Sequence, residues 1–195
     1  MNRDSDKLPI SVAIITLNEQ NSLADCLASA AFAQDIVVVD SGSTDTTVEL
    51  AESMGARVFH QPWLGYGAQK NVAVDQARFD WVLCLDADER VDSRLSRNIR
   101  QVMTHRNHRY VGYRMARRNF FLGRGLKHGF GYPDYKLRLM HRKQGRWTNS
   151  DVHEYIEVDG PVGLLDGDLL HYSGESLQQY LEKHNRYTTL QANSL

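Results

Sequence analysis

The chain has 195 residues, 42% of them hydrophobic and 24% charged, with a formal net charge of −1 at pH 7. This composition predicts a globular protein with one sizeable core and gives no overall field that would attract nucleic acid. Its two cysteines, Cys26 and Cys84, lie in apolar runs, and no signal peptide or transmembrane span is visible, so we expect a reducing, cytoplasmic location.

The first half of the chain alternates strand and helix patterns. Such alternation predicts a parallel sheet with helices on both faces. Strands are predicted at residues 10–16, 35–40, 56–60 and 81–85, and helices at about 22–32, 44–54, 67–77 and 93–105.

After Tyr110 the pattern changes to strands separated by glycine-rich loops, with one helix near the end. Because no helical segment separates these strands, we expect them to join the same sheet as mixed or antiparallel members. The fold class is therefore α/β: a mixed, mostly parallel, Rossmann-like sheet flanked by helices in a single domain. The later strands are predicted at residues 110–116, 136–141 and 164–171, and the helix at 176–187.

Polar and acidic residues follow three of the predicted strands. The carboxyl ends of parallel strands meet at one edge of a sheet, which is where ligands bind in open α/β folds. Asp86 and Asp88 are two residues apart, so on an extended backbone both carboxylates project from one face and suit a Mg²⁺ or Mn²⁺ ion. An acidic turn or helix cap explains the same pair without a ligand. The other strand ends carry Thr16, Asn18, Glu19, Asp40 and Asp45.

Positive charge is concentrated in one segment, from His105 to Trp147. This segment holds twelve Lys or Arg and one acid, Asp134, whereas the remaining chain holds 11 basic and 23 acidic residues. Aromatic residues are interleaved with these charges. The pattern favours a face for an anionic partner over a solvated surface whose charge is merely unbalanced.

Four motifs follow one another along the chain: Ile14-Ile-Thr-Leu-Asn18-Glu19, Val38-Val-Asp40-Ser-Gly-Ser-Thr-Asp45, Gly67-Ala-Gln-Lys70-Asn71 and Leu85-Asp86-Ala-Asp88. In this order they resemble the family 2 glycosyltransferases of the GT-A fold. A second set comprises Tyr132-Pro-Asp134-Tyr-Lys-Leu-Arg138-Leu, Trp147, Val152-His153-Glu154 and Leu170-His171-Tyr172. This set resembles the WaaE/LgtF-like branch, which adds glucose to the heptose of the lipopolysaccharide inner core.

The resemblance implies a donor site for a UDP-sugar in a nucleotide-binding half, about residues 8–105. Asp88 and His171 are implied as ligands of the Mg²⁺ or Mn²⁺ ion that bridges the two phosphates. A solvated position on a helix is the alternative for Lys70, and a structural role is the alternative for His171. The nucleotide-sugar site implied by the resemblance consists of Thr16, Asn18, Glu19, Asp40, Asp45, Lys70 and Asp86.

An inverting transfer needs a base that takes the proton of the acceptor hydroxyl. The resemblance implies Glu154 in this role, with Asp134 as the alternative. We prefer Glu154 because Asp134 stands among arginines, and pairing with them lowers the basicity of a carboxylate.

The acceptor implied by the resemblance is an inner-core heptose or a similar anionic glycolipid, bound by a half at about residues 106–195. The enzyme would then be peripheral on the inner face of the cytoplasmic membrane. Another cell-surface polysaccharide or lipid-linked acceptor is an alternative. The residues expected to contact the acceptor are Arg117, Arg118, Arg124, Lys127, Asp134 and Arg138.

Three other classes of protein are compatible with single features. A haloacid-dehalogenase-type phosphatase also places Asp-x-Asp after a strand, but it needs Thr or Val where this chain has Arg90. A nucleotidyltransferase requires a glycine-rich phosphate loop after the first strand, where Leu17-Asn18-Glu19 stands instead. A non-catalytic scaffold that binds anionic lipid is consistent with the basic segment alone.

Overall fold

The computed structural model describes residues 7–104, 109–121, 124–125, 132–149 and 154–172. These residues form four α-helices and eleven strands. In chain order the elements are β1 (Leu8–Thr16), α1 (Leu23–Ser29), β2 (Ala33–Asp40), α2 (Thr47–Ser53), β3 (Arg57–His60), α3 (Tyr66–Asp75), β4 (Trp81–Asp86), β5 (Glu89–Val91), α4 (Ser93–Met103), β6 (Gly112–Phe121), β7 (Arg124–Gly125), β8 (Asp134–His141), β9 (Gly145–Trp147), β10 (Ile156–Val158) and β11 (Val162–Tyr172).

Nine strands form one mixed sheet in the order β3-β2-β1-β4-β8-β6-β11-β5, with β7 paired to β6. Strands β1, β2, β3, β4, β6 and β11 run in one direction, and β5, β7 and β8 run in the other. Within the described residues the sheet is thus mostly parallel and belongs to a single domain, as the strand–helix alternation predicts. The remaining two strands, β9 and β10, form an antiparallel hairpin.

The sheet is strongly curled, because β4 and β5 are joined by only two residues although three strands lie between them in the sheet order. Adjacent strands are about 4.8 Å apart, so four steps across a flat sheet would cover about 19 Å. The chain from Asp86 to Glu89 spans at most about 11 Å. The curl brings the end of β4 and the start of β5 to the same place.

Two apolar layers cover the two faces of the sheet. One layer includes Leu23 and Leu27 of α1, Ala51 of α2, and Leu95 and Ile99 of α4. On the opposite face, the core residues come from α3 and the β9–β10 hairpin: Ala73, Val74, Trp147 and Ile156. Val82 and Cys84 of β4 face this second layer, and alternation along the strand directs Asp86 to the same side.

Most of the predicted elements are present, with ends shifted by a few residues. The sequence analysis missed the short strands β5, β7, β9 and β10. Its expectation of an extended Asp86–Asp88 segment is wrong, since β4 ends at Asp86 and a turn separates the two acids. The predicted terminal helix at 176–187 lies outside the described residues.

Among the described residues, no helix is both long and apolar enough to cross a membrane.

Candidate active site

The candidate site lies at the edge of the sheet where β1, β2, β4, β6 and β11 have their carboxyl ends. The turn between β4 and β5 lies at this edge and carries Asp86 and Asp88. Their carboxylates have different partners. Asp86 contacts Lys70 and Arg138, whereas Asp88 contacts His171. The two acids therefore contribute to two separate clusters.

The end of β2 is a rigid loop built around Asp40, which is 3% exposed. Its carboxylate accepts hydrogen bonds from the Thr16 hydroxyl (3.1 Å), the Gly42 and Ser43 amides (2.8 and 2.9 Å) and the Ser43 hydroxyl (2.5 Å). Burial opposes ionisation, but the hydrogen bonds, led by those from Ser43, outweigh it and hold the pKa of Asp40 below its usual value.

The loop after β1 is tied to the loop after β2. Asn18 has a left-handed backbone (φ 56°), and its side-chain oxygen accepts a hydrogen bond from the Thr44 amide at 2.8 Å. The amide of Glu19 donates to the Thr47 hydroxyl at 2.8 Å. Asp45 accepts from the amide of Thr47, the first residue of α2, at 3.0 Å. Asn18 and Asp45 are therefore used in shaping this loop pair.

Lys70 is 6% exposed on α3, which excludes the solvated position considered for it. Its Nζ lies 2.9 Å from Asp86 Oδ1 and 2.9 Å from Glu154 Oε1, and 4.4 Å from the centre of the Trp147 ring. Burial disfavours the ammonium, but the charge of Asp86 outweighs it and raises the pKa of Lys70. Lys70 therefore stays charged and holds two carboxylates together.

Arg138 does not belong to an exposed acceptor face, and its assignment there is corrected. It is 4% exposed, and its Nη2 lies 2.9 Å from both Asp86 Oδ2 and Glu89 Oε1. Glu89 is fully buried and also accepts a hydrogen bond from the Asp86 amide at 3.0 Å. Despite burial, Lys70 and Arg138 hold the pKa of Asp86 far below its usual value. We call Glu89, Arg138, Asp86, Lys70 and Glu154 the edge network.

Glu154 reaches the edge network because the β9–β10 hairpin is docked on α3. The side-chain amide of Asn71 donates to the Trp147 carbonyl at 2.9 Å and accepts from the Trp147 amide at 3.0 Å. Gly67 lies against the backbone of Thr148, since a Cβ at this position would stand 1.8 Å from the Thr148 carbonyl oxygen. The Gly67–Asn71 motif thus holds in place the hairpin, and Glu154 lies between the two strands of this hairpin.

Asp88 and His171 face each other across the edge. His171 Nε2 lies 3.2 Å from Asp88 Oδ2, and the Tyr172 amide donates to the Asp88 carbonyl at 3.0 Å. Two cis ligands of an octahedral Mg²⁺ ion lie about 3 Å apart. The observed spacing therefore fits one oxygen and one nitrogen ligand of a small divalent cation. Within the described residues, no group of three or more His, Cys, Asp or Glu is arranged to hold a metal.

The arginines expected at the acceptor are mostly paired with acids. Arg117 donates to Asp134 at 2.8 Å, and Arg118 forms an ion pair with Asp168. Burial opposes the charge of Asp134, but Lys136 and Arg117 outweigh it and lower its pKa. Arg124 is exposed on β7 and has no ion pair with another described residue. Lys127 lies outside the described residues.

Sequence reasoning missed three features of this edge. It did not predict the presence of Glu89 and Asn119, nor the position of the Trp147 ring beneath the cations of Lys70 and Arg138. Asn119 Oδ1 lies 2.7 Å from His171 Nδ1. The sequence gives only a weak local signal that Trp147 lies at the site, which is that it precedes Glu154 by a few residues. Glu89 and Asn119 have no local signal, because only strand pairing brings them to the site.

The profile of Glycosyl transferase family 2 matches residues 11–158. LpsC of Rhizobium meliloti, a lipopolysaccharide core biosynthesis glycosyltransferase, is 38% identical over 193 residues, which cover 95% of this chain and 71% of LpsC. A glycosyltransferase of Rickettsia typhi is 35% identical over 197 residues. The match covers 95% of this chain and 68% of the Rickettsia protein.

Among solved structures, residues 1–349 of S. aureus TarS in complex with UDP-GlcNAc superpose with a TM-score of 0.63 at 16% identity. The match covers 89% of this chain and only 61% of that TarS chain, so this chain spans less than two thirds of its length. The likeness to TarS is one of fold.

Proposed function

Since this chain belongs to glycosyl transferase family 2, it is a glycosyltransferase of the GT-A fold, and we propose that it transfers glucose from UDP-glucose to an anionic glycolipid. The acceptor that we propose is a heptose of the lipopolysaccharide inner core. The proposed acceptor is supported by the similarity to LpsC, which acts in lipopolysaccharide core biosynthesis. The proposed UDP-sugar donor is supported by TarS, which shares the fold and binds UDP-GlcNAc. Family membership argues against the phosphatase, the nucleotidyltransferase and the lipid-binding scaffold.

The observation that carries the proposal is the arrangement around the β4–β5 turn. On one side of this turn, Asp88 faces His171 at 3.2 Å. On the other, Asp86 and Glu154 are both bound to Lys70 at 2.9 Å. A carboxylate–imidazole pair that suits a cation and a separate, half-buried carboxylate thus lie at the sheet edge that also carries the Asp40 loop. A transferase needs these two functions side by side, one for the leaving diphosphate and one for the attacking hydroxyl.

We assign the UDP part of the donor to the loops after β1 and β2, with Asp86 on the ribose side. The loops carry or adjoin Thr16, Asn18, Glu19, Asp40 and Asp45. Thr16 donates to Asp40, and the other three form hydrogen bonds with Thr44 or Thr47, which fixes the shape of the edge. A preformed polar pocket of this kind discriminates strongly for a ligand that satisfies its groups. Lys70 contributes indirectly by holding Asp86.

Asp88 and His171 would hold a Mg²⁺ or Mn²⁺ ion. Two protein ligands suit such an ion when diphosphate oxygens and water complete its shell. When bound, the cation offsets the negative charge that develops on the UDP leaving group.

The transfer that we propose inverts the anomeric centre. The acceptor hydroxyl oxygen attacks the anomeric carbon, and the bond from that carbon to the UDP oxygen breaks with its electron pair going to UDP. Glu154 takes the proton of the hydroxyl. Glu154 pairs with one cation, whereas Asp134 is held by both Arg117 and Lys136, so Glu154 remains our choice for the base.

The acceptor side of the site is proposed to include Arg117, Arg124 and Asp134, at the carboxyl end of β6 and on the strands beside it. Arg124 is exposed there, and guanidinium groups bind phosphate and carboxylate by paired hydrogen bonds. Such an acceptor is anchored in a membrane, so the enzyme would act at the inner face of the cytoplasmic membrane.

The proposal is tested by UDP release from a panel of UDP-sugars with a heptose-terminated core acceptor, with and without Mn²⁺. We expect release to require both Mn²⁺ and the acceptor and to be fastest with UDP-glucose. Asp88→Ala should lower turnover by at least about 100-fold with an unchanged circular dichroism spectrum, since a group that stabilises the transition state contributes on this scale.

Asp166→Ala is the matched control, because Asp166 is exposed, forms an ion pair with the exposed Arg94 and accepts a hydrogen bond from the adjacent Gly167 amide. It should keep full activity. Undiminished turnover in Asp88→Ala, or release that is independent of the acceptor, would contradict the proposal.

A further inference from the structure

We propose that Asn119 is a positioning residue that sets His171 in the form that binds the metal. This inference rests on the proposed function, because it assumes that Asp88 and His171 are metal ligands. It adds a residue of β6 that contacts neither the proposed ion nor the proposed substrates and acts only through the imidazole.

The contact between Asn119 and His171 is built into the sheet. The two residues are direct partners in the parallel pairing of β6 with β11. Asn119 Oδ1 lies 2.7 Å from His171 Nδ1, a short distance for a neutral hydrogen bond. The pairing with β11 is continuous from Ala116 to Phe120, so it holds the backbone on both sides of Asn119 in register.

The chemistry of the amide assigns the imidazole proton. An amide oxygen only accepts hydrogen bonds, so His171 Nδ1 must carry the hydrogen in this contact. In the neutral ring, Nε2 then holds the lone pair and can act as a metal ligand. A hydrogen bond from the distal ring nitrogen also fixes the orientation of the ring.

The other ring nitrogen of His171, Nε2, faces the carboxylate of Asp88. Nε2 lies 3.2 Å from Asp88 Oδ2. With Nδ1 directed at Asn119, Nε2 is the ring nitrogen that faces the carboxylate, and their separation is close to that of two cis ligands of one small divalent cation. The Tyr172 amide holds the Asp88 backbone at 3.0 Å, so Asp88 cannot easily withdraw. By holding Nδ1, Asn119 therefore positions Nε2 of His171 beside the Asp88 carboxylate, so that both can bind one cation.

The experiment measures Mn²⁺ binding in the presence of UDP by calorimetry, and the coupling of bound Mn²⁺ to a histidine nitrogen by pulsed electron paramagnetic resonance. Asn119→Ala should weaken Mn²⁺ binding by about 10- to 100-fold, the usual effect of losing a residue that orients a metal ligand, and should reduce the nitrogen coupling. Asn119→Asp keeps an acceptor at the same position and should bind Mn²⁺ at least as tightly as the wild type.

The matched control is Asn98→Ala, the same change on α4, where the Asn98 side chain donates only to the Arg94 carbonyl among the described contacts. It should leave Mn²⁺ affinity and nitrogen coupling unchanged. The proposal is overturned if Asn119→Ala keeps the wild-type affinity for Mn²⁺ and the wild-type nitrogen coupling. If Asn119→Ala does not fold, weaker Mn²⁺ binding in Asn119→Asp than in the wild type overturns it. Absence of Mn²⁺ binding or of nitrogen coupling in the wild type would instead refute the metal site of the proposed function.

Discussion

At the scale of single residues, the two acids of the β4–β5 turn are distinguished by their partners. Asp86 is held between Lys70 and Arg138, and Asp88 faces a histidine. A carboxylate bound by two cations is a poor proton acceptor, because both stabilise its charged form. A different acid must therefore take the proton of the acceptor. Glu154 is our candidate, because it is bound to Lys70 at the same sheet edge.

Glu154→Gln should lower kcat by about 100- to 10,000-fold, the range of a lost general base, with little change in the KM for the UDP-sugar. The amide keeps the size of the side chain but cannot take the acceptor proton. Steady-state kinetics with saturating acceptor measure both constants.

Asp134→Asn provides the comparison for the base. Arg117 and Lys136 keep Asp134 ionised, so its loss should affect the KM for the acceptor and lower kcat by less than about tenfold. If Asp134→Asn had the larger effect on kcat, Asp134 would be the base.

At the scale of elements, the docking of the β9–β10 hairpin on α3 controls the position of Glu154. The hairpin belongs to a small separate sheet, so its placement depends on side-chain contacts and close packing. Asn71 binds both backbone groups of Trp147, and Gly67 permits the approach of Thr148. A change at Gly67 should therefore alter catalysis through the hairpin, because a Cβ there would meet atoms of Thr148 and Asn149.

Gly67→Ala should lower the free energy of unfolding by about 1–3 kcal/mol, because the added methyl group overlaps the Thr148 carbonyl oxygen. We expect kcat to fall further than this stability loss explains, since the hairpin must move away and take Glu154 with it. Urea unfolding and kinetics at a temperature where the variant is folded separate the two effects.

Gly55→Ala is the control for Gly67→Ala. Its φ of 83° makes alanine unfavourable by about 1–2 kcal/mol, but a Cβ there would meet no atom within 4 Å. A comparable loss of stability with unchanged kcat is expected. Equal kcat in both variants would show that the hairpin dock does not control catalysis.

Sequence periodicity predicted β1, β2, β3 and β4 and the helices between them, because each is a local pattern of apolar residues. It failed for β5, β9 and β10, which are three residues long and depend on distant partners. The pairing of β5 with β11 also explains why Asp86 and Asp88 are not side by side. The pairing requires the chain to turn immediately after β4, and no local rule indicates such a turn.

The candidate site was predicted where its residues follow strands, as for Asp40, Asp86 and Asp88. The role of Arg138 was not predictable, because an arginine between Leu137 and Leu139 resembles an exposed residue of an ordinary alternating strand. It is buried because the curled sheet places Glu89 and Asp86 around its guanidinium. Burial of this kind depends on the whole topology.

At the scale of the whole molecule, the uneven charge of the sequence is partly compensated by ion pairs. The basic segment supplies cations to acids of the first half of the chain, and most of these pairs lie at the surface. The pairs within the described residues include Arg138 with Asp86 and Glu89, Arg142 and Lys143 with Asp80, and Arg146 with Asp75.

Arg138→Met should destabilise the protein by about 3–5 kcal/mol, because it leaves the fully buried Glu89 without its cation. The double variant Arg138→Met with Glu89→Gln removes the uncompensated charge and should recover part of this loss. Urea denaturation of both variants measures the difference. A single variant as stable as the wild type would mean that Arg138 contributes nothing to the fold.

The curl of the sheet has a consequence for how this molecule can diversify. β5 belongs to the first part of the sequence, yet it pairs with β11, while β8 from the later part pairs with β4. Neither part forms this sheet alone, and separation would leave β4 with an open edge. Exchange of the later part between relatives would therefore break the β4–β8 and β5–β11 pairings. If the later part binds the acceptor as we propose, we expect new acceptor specificities to arise by substitution within the shared sheet.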